Sequence, residues 1–78
     1  MIDSKTKELI AIGASVSANC HPCIKFHLDK ADKLNIEPED IRAALEVGVM
    51  VRDGAASQMD NLLVKMNKKY ELDYHPGF

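Results

Sequence analysis

Apolar and small residues occupy nearly every position from Leu9 to Val16, after a polar opening, Lys5-Thr6-Lys7-Glu8, that Asp3 or Ser4 can cap. Such a run predicts a first helix buried on nearly all sides. By position alone, about one turn in from the start, Glu8 reads as a surface acid complementing the helix dipole. Asn19 suits the turn out of this helix, and Pro22 fits the first turn of the next, which runs from about Pro22 to Leu34. On it Ile24, Leu28 and Ala31 form one apolar stripe with Cys23 and His27 beside it, while Lys25, Asp29, Asp32 and Lys33 form a solvated face.

The segment Asn35 to Asp40 reads as a connection that turns into a helix start at Pro38, with acids following at the positive helix end. The third predicted helix carries Ile41, Ala44, Leu45 and Gly48 on one face, and Ala43, Val47, Met50 and Val51 on a second. Two apolar faces call for two partners, one of them another subunit. Gly48 costs roughly 1 kcal/mol against Ala in a helix interior, which close approach of another backbone would explain. Asp53-Gly54 reads as a break. A fourth helix then follows through Ala55, Met59, Leu62 or Leu63, Met66 and Tyr70, with Lys65, Lys68 and Lys69 towards its end. Its methionines read as core filling. The tail, 71–78, is too irregular to assign, and is either loose or docked on a neighbour through Tyr74 and Phe78.

No strand pattern, repeat or glycine-rich phosphate loop competes with this all-α reading of one domain, 1–78. A chain of 78 residues hides only about 60% of the surface its unfolded form exposes, and the absence of Trp and low aromatic content imply an aliphatic, Ala-rich core completed by homo-oligomerisation. A net charge of −2 gives no electrostatic case for nucleic acid. The start Met1-Ile2-Asp3-Ser4-Lys5 lacks a secretory pattern, and the apolar run is shorter than the roughly 20 residues a membrane span needs. The expectation is a soluble cytoplasmic protein without a membrane partner. There a lone Cys-x-x-Cys is redox-active or metal-binding rather than a structural bridge.

The only two cysteines stand in Cys20-His21-Pro22-Cys23. Pro22 puts Cys20 at or just before a helix N-terminus, where unpaired N–H groups favour thiolate over thiol. Cys23 and His27 are i and i+4 and share a helix face, so an imidazole is placed to take a thiol proton. A free thiol with a pKa of about 8.5 is only a few per cent ionised at neutral pH, so such help decides reactivity. Helix-end position favours Cys20 as the attacking sulfur, and the i+4 base favours Cys23. On its own, a histidine at the margin of a core is more often a packing residue than a base.

Glu8, Cys20, Cys23 and His27 together read Glu-x11-Cys-x2-Cys-x3-His. With Ile41-Arg42-Ala43-Ala44-Leu45-Glu46-Val47-Gly48 and the small residues Gly54-Ala55-Ala56, the chain from about Glu8 to Met66 resembles the alkylhydroperoxidase D-like branch of the carboxymuconolactone decarboxylase family. The resemblance implies a helical homo-oligomer, a trimer or hexamer, in which a dithiol cycles with a disulfide while reducing a hydroperoxide or a disulfide substrate. It implies a proton relay from Glu8 and His27 to Cys20 and Cys23, and resetting by an external dithiol, lipoyl or thioredoxin-like. No cofactor is expected. Redox-active members commonly carry a histidine just before the second cysteine, whereas Pro22 stands there and His21 one place earlier. Two rivals remain. One is a zinc site on Cys20, Cys23 and His27 with His75 or Glu8 as the fourth ligand; the other is an oligomeric scaffold in which the dithiol is vestigial.

Overall fold

A computed structural model describes residues 1–76. Three helices follow in order: α1 (Ser4–Ser17), α2 (His21–Lys33) and α3 (Pro38–Tyr70). Among the described residues there is no strand, in keeping with the all-α expectation. Asp3 caps α1, its carboxylate accepting from the Thr6 N–H at 2.8 Å.

The two turns share one device. Asn19 and Asn35 both adopt the left-handed conformation, with φ of 55° and 57°, which asparagine tolerates better than most residues. At the first turn the Cys20 N–H reaches back to the Ser15 carbonyl and the Asn19 N–H to Val16, each at 3.0 Å. At the second, Ile36 bonds back to Ala31 and Asn35 to Asp32, each at 3.1 Å. Both are Schellman closures, and the second carries its usual apolar contact because Ala31 and Ile36 are both buried.

Helix α1 is the middle element, packed on α2 and on the first half of α3. Ile12, Ala31 and Ile36 form the buried centre, with Leu9, Ile24, Leu28, Ile41, Ala44 and Leu45 among the side chains around it. Gly48 lies where α3 meets α1: a Cβ there would stand 2.6 Å from the Gly13 carbonyl oxygen and 2.7 Å from Val16 Cβ. The close backbone approach expected at Gly48 is therefore made within the chain.

The break expected at Asp53-Gly54 does not occur, and the third and fourth predicted helices are one helix of 33 residues. A helix end at glycine normally needs a positive φ, and no glycine among the described residues has one. Gly54 stays helical with nothing within 4 Å of a Cβ built on it, so its propensity cost of about 1 kcal/mol is spread over a helix otherwise rich in good formers. The helix is ~50 Å long at 1.5 Å per residue, matching the 52 Å long axis of the molecule. The radius of gyration, 16.8 Å, far exceeds the ~11.5 Å of a compact chain of this length. The reason is that α3 buries no residue after Gly48.

The tail was expected to be loose or docked on a neighbour. It instead turns back on α3, Asn67 bonding both the carbonyl and the N–H of Tyr74, at 2.9 and 3.1 Å. The Tyr74 hydroxyl donates to Asp60, and that bond raises its pKa above the ordinary value of 10.0. Phe78, the other anchor considered, lies outside the described residues.

Candidate functional site: a dithiol at the head of α2 and a carboxylate–imidazole pair

Cys20 is the N-cap residue of α2. Its N–H is bound by the Ser15 carbonyl and its own carbonyl accepts from the Ile24 N–H, both at 3.0 Å, so the end of α1 and the start of α2 clamp it from either side. No side chain caps this helix and no acid stands in its first turn, which leaves the positive helix end facing the sulfurs. Cys20 and Cys23 are joined as a disulfide, with Cα atoms 5.3 Å apart. Both are half-buried.

One turn after Cys23 on α2, His27 comes against α1. Its Nδ1 lies 2.6 Å from Glu8 Oε1. Glu8 is only 6% exposed, so the surface-acid reading from position alone is overturned. Residue 8 falls on the face of α1 that also buries Ile12 and Ser15, a helical spacing that the uniformly apolar stretch around it conceals. Lys30, at the next turn of α2, brings its Nζ within 3.6 Å of Glu8 Oε2. The hydrogen bond with His27 holds the Glu8 carboxyl below its ordinary 4.5; burial opposes this and the Lys30 charge adds to it. An ionised Glu8 accepts a hydrogen bond from Nδ1–H and leaves Nε2 as the imidazole nitrogen free to take a proton.

This pairing has a consequence for acid stability. Because the folded pKa of Glu8 is depressed, the unfolded chain binds more protons as the pH drops through about 4.5 and lower, and stability is lost over that window. The melting temperature is expected to fall as pH is lowered from about 6 to about 3, and Glu8→Gln to flatten part of that slope. An unchanged slope in the variant would contradict the ion pair.

The structure thus joins Glu8 to His27 and Cys20 to Cys23, and places the two pairs one helical turn apart. His21 is exposed and lies beside Cys20 on a shallow cleft of about 160 Å³, which Cys23 does not line. His75 is in the tail, 2.8 Å from Asp73. Among the described residues no three His, Cys, Asp or Glu side chains are grouped to hold a metal, so the zinc alternative finds no geometric support. Two residues escaped sequence reasoning. Lys30 sits three positions after His27 on the same face, a spacing that could have revealed it; Arg52, on the Cys20 cleft, follows Gly48 by one turn.

The chain is thus an all-helical protein with a Cys-x-x-Cys disulfide at a helix head and, one turn along, a carboxylate–imidazole pair formed between α1 and α2. The chain belongs to the carboxymuconolactone decarboxylase family, whose model matches residues 1–62. That family contains enzymes, decarboxylases and alkylhydroperoxidase-like proteins among them, and the alkylhydroperoxidase D-like branch is consistent with the match. No curated protein and no solved structure matches the chain significantly. No helix among the described residues is long and apolar enough to cross a membrane.

Proposed function

We propose that the protein is a thiol-dependent oxidoreductase of the alkylhydroperoxidase D-like kind, acting on hydroperoxides or partner disulfides in the cytoplasm. The observation that carries this reading is the 2.6 Å bond between Glu8 and His27, one turn from a Cys-x-x-Cys pair able to close as a disulfide. The same pair that satisfies the buried Glu8 carboxylate gives a dithiol that must lose two protons an imidazole one turn away to receive them.

In the reaction, one thiolate attacks the outer oxygen of ROOH and the O–O bond breaks. That step releases ROH and leaves a sulfenic acid, whose sulfur the second cysteine attacks; the S–O bond breaks, the hydroxyl leaves as water and the Cys20–Cys23 disulfide forms. His27 takes a cysteine proton through Nε2 while Glu8 stabilises the charge it acquires. An external dithiol, lipoyl or thioredoxin-like, then returns two electrons by thiol–disulfide exchange.

Homo-oligomerisation belongs to the same proposal. Val47, Met50, Val51, Met59 and Leu62 are exposed on α3, and an apolar groove of about 570 Å³ lies between α1 and α3. Surface of this kind is what a second subunit covers.

The test is hydroperoxide turnover by the reduced protein with a regenerating dithiol. Cys20→Ser and Cys23→Ser are each expected to abolish it, and Ellman titration of each variant to show which sulfur is the more reactive. Full turnover by both serine variants would refute the dithiol mechanism.

A further inference from the structure

The cleft at the disulfide has an asymmetry that the reaction above does not use. Gly48 and Arg52 are i and i+4 on α3 and share a face. Since Gly48 rests against Gly13 and Val16 of α1, the next turn of α3 carries Arg52 to where α1 ends and α2 begins. There Arg52 lines the 160 Å³ cleft together with Val16, Asn19, Cys20 and His21. No carboxylate lines it, and Arg52 is its one permanently charged residue. Its side chain makes a single hydrogen bond among the described residues, from Nε to Asp53 Oδ1 at 3.5 Å. Asp53 is outside the cleft and two-thirds exposed, at 67%. The two terminal guanidinium nitrogens make no hydrogen bond among the described residues. Planar and forked, they match a carboxylate.

We propose that Arg52 is a specificity-determining residue of the dithiol centre, selecting reactants that carry a carboxylate close to the atom that meets Cys20. The inference rests on the thiol-oxidoreductase reading and adds to it the charge class of the reactant.

Thiol–disulfide exchange with two small aromatic disulfides tests it: the dianionic 5,5′-dithiobis(2-nitrobenzoate) and the neutral 4,4′-dithiodipyridine. In each case a Cys20 thiolate attacks one probe sulfur, the probe S–S bond breaks, and an aryl thiolate leaves with the electron pair. Cys23 then attacks the Cys20 sulfur, closing the Cys20–Cys23 disulfide and releasing the second aryl thiolate. Two electrons pass to the probe, and the two thiol protons pass to solvent.

The readout is the ratio of the anionic-probe to the neutral-probe rate, each normalised to the rate with mercaptoethanol. In the wild-type protein this ratio is expected to exceed one. It should fall about fivefold in Arg52→Ala, the effect of one partly exposed charge pair, and further in Arg52→Glu. Arg52→Lys should largely restore it, and added salt should compress the differences. A ratio that stays the same in Arg52→Ala and Arg52→Glu would overturn the proposal, including the case in which both probes slow equally. Failure of the wild-type dithiol to close a Cys20–Cys23 disulfide even with the neutral probe would instead defeat the oxidoreductase reading, and this inference with it.

Discussion

Replacing Glu8 with glutamine is expected to lower kcat for hydroperoxide reduction by about a hundredfold or more, the size of a lost general acid–base contribution. The side chains are nearly isosteric, so the packing around residue 8 changes little. What changes is the group facing His27 Nδ1 across 2.6 Å. A carboxylate accepts a hydrogen bond from Nδ1–H and stabilises the imidazolium formed when Nε2 takes a thiol proton. A glutamine amide is uncharged, and it can present its NH2 to Nδ1 and hold the ring in the tautomer that blocks Nε2 as a base. Lys30, 3.6 Å from the other oxygen, loses its counter-charge in the same step. Glu8 does not line the cleft at Cys20, so KM should move far less than kcat. Steady-state kinetics across pH, with circular dichroism to establish that the variant is folded, would check this. An undiminished kcat would remove Glu8 and His27 from the mechanism.

The largest effect on stability is expected from a single methyl group at the crossing of α1 and α3. In Gly48→Ala the new Cβ would lie 2.6 Å from the Gly13 carbonyl oxygen and 2.7 Å from Val16 Cβ. Backbone cannot swing aside as a flexible side chain can, so the helices must separate. Overpacking of this kind costs ~1–3 kcal/mol, set against the ~1 kcal/mol that alanine gains over glycine in helix propensity. The net expectation is destabilisation by up to about 2 kcal/mol, or a melting temperature lower by up to roughly 16 °C for a domain of this size. Gly54→Ala is the built-in comparison. It lies on the same helix with nothing within 4 Å of the added atom, so only the propensity gain of up to ~1 kcal/mol remains and the sign reverses. Thermal melts at one fixed protein concentration would check both, since subunit association makes stability concentration-dependent. A stabilised Gly48→Ala would mean that α1 and α3 do not meet at Gly48.

Much of this architecture could be read along the chain because its signals are local. The Asp3 cap, Pro22 and Pro38 at helix starts, and Asn19 at a turn all act within a few residues, and the structure uses each of them. The Asp53-Gly54 break was misread for the same reason. A glycine after an aspartate is a local stop signal, but it stops a helix only when φ turns positive, and Gly54 keeps helical φ. The cationic neighbours of the site, Lys30 against Glu8 and Arg52 beside Cys20, were missed because their partners are remote in sequence.

The sequence by itself determined the helical class, the place of the two sulfurs at the head of a helix, and the imidazole one turn beyond them, because helical period and capping operate over three or four residues. Only the tertiary structure decided that Glu8 is buried against His27, that the backbone at Gly48 rests on α1, and that Arg52 lines the cleft at Cys20. Those contacts depend on how the left-handed turn at Asn19 swings α2 back against α1 and on where α3 crosses α1, and neither angle is encoded in any one stretch of residues.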